Sequence, residues 1–68
     1  MRKQLQQLEE AKTEAEETLA KRKATYDERT DNWKETYKAK RYQYRTEDLE
    51  RFIDSLLDAI DSLNSYLD

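Results

Sequence analysis

Cysteine, histidine, glycine and proline are all missing from this 68-residue chain. Each absence closes off some chemistry. Without cysteine there is no disulfide framework and no thiolate nucleophile, and without histidine there is no imidazole base or imidazole metal ligand. Without glycine the phosphate-cradling loops and the EF-hand calcium loop have no residue for their tight turns. Nothing in the composition interrupts a helix, so helical hairpin or coiled coil is the expected architecture. Long apolar runs are missing too. No stretch approaches the ~18 consecutive apolar residues that a membrane span needs, and Met1-Arg2-Lys3-Gln4-Leu5-Gln6-Gln7 has no apolar signal core. The expectation is a cytoplasmic chain with no membrane partner.

What the chain does contain is charge and one clear periodicity. Charged residues make up 43% and hydrophobic residues only 35%, with a mean hydropathy of −1.33, which is poor material for an independent core. From Ala39 the apolar positions step by three and four through Tyr42, Thr46, Leu49, Ile53, Leu56, Ile60, Leu63 and Leu67. That is heptad spacing, the mark of a helix that lies against another helix. A two-helix hairpin resting on one such seam is marginal by itself, so self-association into a homodimer, as a four-helix bundle or coiled coil, is expected. Leu49, Ile53, Leu56, Ile60, Leu63 and Leu67 are the residues expected to carry that assembly.

The fold class read from this pattern is all-α, an antiparallel helical hairpin forming a single domain over residues 1–68. A first helix is expected over about residues 3–30, a turn over about 31–36 and a second helix over about 37–67. The first helix has a thinner stripe, Leu5, Leu8, Ala15, Leu19, Tyr26 and Trp33, interrupted by Lys12, Arg22 and Arg29, whose aliphatic stems can cover apolar surface while their charges reach water. Thr30-Asp31-Asn32 is the favoured break, because Asn tolerates the left-handed conformation that ends a helix when glycine is absent; Thr36 is then placed to cap the second helix. A competing break is Thr46-Glu47-Asp48-Leu49, a strong N-cap signature, although the heptad passes through Thr46 without a slip. Tyr42 and Tyr44 around Gln43 also read as a very short strand, which the helical pattern around them outweighs.

Charge is segregated along the chain. Residues 1–20 hold three basic and five acidic side chains, residues 21–45 nine and four, and residues 46–68 one and seven, for net charges of −2, +5 and −6. Folded as a hairpin, the turn end is basic and the end bearing both termini acidic, and an antiparallel dimer would lay each basic end over an acidic one. The basic stretch also holds Tyr26, Trp33, Tyr37, Tyr42 and Tyr44. Aromatic rings among cations can stack bases and grip phosphates, so a nucleotide or single-stranded nucleic acid is a second class of partner. The overall acidity, with a pI near 5.0, weighs against general duplex binding.

Carboxylates give no catalytic centre. Asp54, Asp58 and Asp61 fall at helical spacing and read as a solvated face, since a di-metal helical site pairs Glu with His. Ser55, Ser62 and Ser65 have no base with which to form a nucleophilic arrangement. The expectation is a non-enzyme with no cofactor and no metal.

The run Arg29-Thr30-Asp31-Asn32-Trp33-Lys34-Glu35-Thr36, followed by Tyr42-Gln43-Tyr44-Arg45-Thr46-Glu47-Asp48-Leu49-Glu50, resembles short helical proteins carried by phages and prophages, over about residues 26–67. Ala39 stands where that pattern has a glycine, which favours continuous helix over a tight turn there. The resemblance implies a phage accessory setting and brings no catalytic residues. A fainter similarity to phage head-to-tail joining proteins would require a β-hairpin over residues 37–45, a stretch that has no turn glycine.

The seam and the charge pattern point to a helical protein-protein interaction module, and the phage resemblance implies one that regulates or inhibits a host system. Trp33, Tyr37, Arg41, Tyr44 and Arg45 are its candidate partner-binding residues, because aromatic and Arg anchors dominate interface energetics. The alternatives are an anionic-ligand binder at the basic aromatic end and a virion structural part.

Overall fold

The computed structural model describes residues 1–68 and is all-helical. Three helices, α1 (Arg2–Asp27), α2 (Asp31–Lys34) and α3 (Tyr37–Leu67), supply 26, 4 and 31 residues, 61 of the 68, with no strand. The two long helices lie antiparallel. Moving along α1 from Arg22 to Tyr26, the α3 partner retreats from Thr46 to Tyr42. The result is a rod of 52 × 15 × 12 Å with a Cα radius of gyration of 15.6 Å, against about 11 Å for a compact domain of this length.

The seam read from the sequence is the line of contact. All nine of its residues, from Ala39 to Leu67, are withdrawn from solvent to some degree, as are Leu5, Leu8, Ala15, Leu19 and Tyr26 on α1. Only Ala15, Ala39, Ile53, Leu56 and Ile60 are buried. Ala39 is 0% exposed, so a methyl group is all that fits between the helices beside the turn.

The reversal differs in detail from the sequence expectation. α1 stops at Asp27, three residues early, and a four-residue helix occupies the connection. No residue has positive φ, so Asn32 does not end a helix in the left-handed conformation. Two threonine caps turn the chain instead. Thr30 Oγ1 accepts from the Trp33 amide at 3.2 Å, and Thr36 Oγ1 accepts from the Ala39 amide at 3.4 Å while donating to the Trp33 carbonyl at 2.6 Å. Each hydroxyl satisfies an N–H that the new helix leaves unpaired. At the end of α1, Lys34 Nζ donates to the Asp27 carbonyl at 3.5 Å. The capping role of Thr36 holds, whereas the competing break at Thr46 does not form, because α3 runs through it without interruption. Residues 42–44 are helical, and so is the rest of 37–45, which excludes the β-hairpin required by the head-to-tail comparison.

Candidate functional site

Near the turn, the helices are joined by polar and aromatic contacts. Arg22, read from sequence as an interruption of the apolar stripe, lies in the α1 seam and reaches across to α3. Its Nε donates to Thr46 Oγ1 at 3.1 Å, its Nη2 donates to the Tyr42 carbonyl at 3.0 Å, and its guanidinium carbon stands 4.0 Å from the Tyr42 ring centroid. Tyr42 Oη returns a bond to the Arg22 carbonyl at 3.1 Å, and Thr46 Oγ1 also donates to the Tyr42 carbonyl at 3.0 Å. No buried side-chain nitrogen or oxygen of the chain is left without a hydrogen-bond partner, as burial demands.

Beyond Arg22 toward the turn, Tyr26, Trp33 and Tyr42 form a three-ring plug, with centroids 5.9 Å apart for Tyr26–Trp33, 6.3 Å for Tyr26–Tyr42 and 5.9 Å for Trp33–Tyr42. Two pairs meet edge to face and one is stacked, geometries the ring quadrupoles favour. Arg29 and Lys34 place cationic groups 4.9 Å from Trp33 and 5.4 Å from Tyr26. The only tryptophan is therefore committed to closing the hairpin.

The two flanks of the helix pair differ. On one, Lys23 Nζ pairs with Glu50 at 3.7 Å, the only ion pair between helices, beside an open cleft of about 340 Å³ that also holds Asp27 and Glu47. On the other, an open cleft of about 390 Å³ is lined by Arg22, Lys38, Arg41, Tyr42 and Arg45. No carboxylate lines that second cleft and none of its four cations takes part in a salt bridge. Four like charges held around one ring give a concentrated positive potential on a chain whose net charge is −3.

The candidate partner-binding residues thus separate into three places. Trp33 lies in the plug, Arg41 and Arg45 line the basic cleft, and Tyr37 and Tyr44 are 74% and 62% exposed on the outer surface of α3. Of the residues assigned to assembly, Ile53, Leu56 and Ile60 are buried, and Leu49, Leu63 and Leu67 partly so, within the single chain. Sequence reading gave Arg22 no role in joining the two helices; the signal for one was a lone arginine in seam register facing a seam whose own polar members, Tyr42 and Thr46, carry oxygen acceptors.

Fold and site together define an all-helical protein of two antiparallel helices, clamped by Arg22 near an aromatic turn and carrying one uncompensated basic cleft. No helix is long and apolar enough to cross a membrane, and no group of three or more acidic side chains is arranged to hold a metal ion. Comparison with protein-family models, curated proteins and solved structures gave no match.

Proposed function

We propose that the chain is a non-enzymatic interaction module, an antiparallel hairpin that pairs into a four-helix homodimer and in that form binds another protein. The observation that carries this reading is the thin core. Five buried residues, three of them larger than alanine, hold a 52 Å rod, and Phe52, Leu57 and Tyr66 stay in solvent beside them at 50%, 38% and 73% exposure. Such a hairpin gains more from a second layer of helices than from any adjustment within itself. Recognition falls to Tyr37, Arg41, Tyr44 and Arg45, whose rings and guanidiniums are the side chains that anchor interfaces most strongly. The resemblance to small phage and prophage proteins supplies the setting, an accessory protein in the host cytoplasm that regulates or inhibits a host system. Sedimentation equilibrium in the micromolar range tests the assembly. Capture from extract of the host with wild-type protein and with Tyr44→Ala tests recognition. The reading expects a dimer throughout, and a captured protein that the variant loses while keeping its helicity and mass.

The basic cleft favours a second reading, a site for a phosphate-bearing ligand such as a nucleotide or single-stranded nucleic acid. Arg22 is already immobilised there by its bonds to α3, and Lys38, Arg41 and Arg45 repeat along one side of α3. Titration with inorganic tripolyphosphate discriminates. Saturable binding that weakens steeply with salt and disappears in Arg41→Glu supports the reading; no binding at low salt removes it.

A further inference from the structure

Residues 37–45, at the start of α3, include Lys38, Lys40, Arg41 and Arg45 and no acid, and none of these cations forms a salt bridge. The arrangement works against the helix that carries it. The positive end of a helix dipole favours negative charge, yet the first turn of α3 has no acid and contains Lys38 and Lys40. Arg41 and Arg45, four residues apart, are like-charged neighbours, which also costs stability. A polyanion laid along this stretch offsets both costs. From α1, Arg22 adds a further cation, held in place by its bonds to Tyr42 and Thr46.

Two exposed rings accompany those cations. Tyr37 and Tyr44 are seven residues apart and so share one lane of α3. Lys38 and Arg45, also seven apart, form the lane on the cleft side. Arg41 stands between the two lanes, a surface neighbour of Tyr37 four residues before it and of Tyr44 three residues after it. A row of cations therefore runs beside a row of rings over about 12 Å of helix, at a rise of about 1.5 Å per residue. Tyr42 lines the cleft, but its ring is engaged by Arg22, Tyr26 and Trp33, which leaves Tyr37 and Tyr44 as the open rings.

We infer that this strip binds a short run of single-stranded nucleic acid, its phosphates along Lys38, Arg41, Arg45 and Arg22 and its bases stacked on Tyr37 and Tyr44. The inference rests on the second reading above, a phosphate-bearing ligand in the basic cleft, and selects among such ligands. Single-strand binding without base readout combines a basic track with aromatic platforms, and this strip has both. Inorganic polyphosphate or an acidic peptide would leave the two rings unused. A mononucleotide could stack on only one of them, since they are set about 10 Å apart along the helix. A duplex keeps its base faces inside its own stack, and Glu47 and Asp48 end the positive strip directly beyond Arg45.

The test follows a fluorescein-labelled oligothymidylate of about ten nucleotides, within the usual site size of single-strand binders, by anisotropy across a salt series. Helicity of each variant is checked by circular dichroism. Four phosphate contacts give log K against log salt a slope of about −3, and Arg41→Gln is expected to reduce its magnitude by about 0.7. Tyr37→Ala and Tyr44→Ala are each expected to weaken binding about tenfold with the slope unchanged. Tyr66 is the matched control, 73% exposed on the same helix but at its acidic end, and Tyr66→Ala should leave the affinity unaltered. Three results would each overturn the single-strand assignment: wild-type affinity in both Tyr37→Ala and Tyr44→Ala, an equal loss in Tyr66→Ala, or equal affinity for a duplex of the same length. If tripolyphosphate still binds in that event, the phosphate reading stands without the inference. If neither the oligonucleotide nor tripolyphosphate binds at low salt, both fall.

Discussion

Replacing Arg22 with methionine isolates what the interhelical clamp contributes. Methionine keeps a long flexible stem and a similar helix propensity, so the change removes the guanidinium and little else. Two hydrogen bonds disappear, Nε to Thr46 Oγ1 at 3.1 Å and Nη2 to the Tyr42 carbonyl at 3.0 Å, together with the 4.0 Å stack on the Tyr42 ring. Arg22 is only partly withdrawn from water, which places each bond at the modest end of the usual range, about 0.5–1 kcal/mol. The cation–π contact adds about 0.5–1 kcal/mol. The expected loss is therefore about 2 kcal/mol, or a fall in Tm of roughly 8–16 °C for a domain of this size. Thermal unfolding is followed by circular dichroism at one fixed protein concentration, because self-association makes Tm depend on concentration. Thr46→Val removes one of the two acceptors and should cost about 0.5–1 kcal/mol, with a coupling of similar size in the double variant. Arg22→Met within about 2 °C of wild type, or strict additivity with Thr46→Val, would show that the clamp is incidental.

Two further changes examine the turn. Ala39→Leu inserts three carbons where exposure is 0% and should destabilise by about 1–3 kcal/mol in urea unfolding; a neutral outcome would mean that the helices are free to move apart there. Thr36→Ala removes the α3 cap and should cost about 1 kcal/mol, whereas Thr36→Ser, which keeps the hydroxyl, should stay close to wild type; equal losses in both would assign the effect to something other than the cap.

The architecture was legible because a single periodicity governs α3. Ala39 through Leu67 keep the three-four step without a slip, and burial follows that step residue by residue. Thr36 was legible as a cap for a similarly local reason. The end of α1 was not. Glu28 and Arg29 carry no stop signal, and α1 ends where it does because Trp33 must come back onto Tyr26 and Tyr42, a tertiary requirement invisible to local propensity. The same requirement packs Trp33, a candidate recognition residue, against Tyr26 and Tyr42. Arg22 illustrates the converse. A charged residue in an apolar register reads as a defect until the helix opposite is known, and only then do the Tyr42 carbonyl and the Thr46 hydroxyl appear as its partners. Arg41 and Arg45 were legible as cations, but that they join Lys38 and Arg22 around one cleft depends on the pairing of the helices.

Native mass spectrometry of the chain purified from its own host tests the central claim most directly, because one spectrum reports both assembly and cargo. A self-associating hairpin predicts a species at twice the 8.3 kDa chain mass, with any bound partner appearing as mass added to that dimer. A monomer, or a ring larger than a dimer, would contradict it.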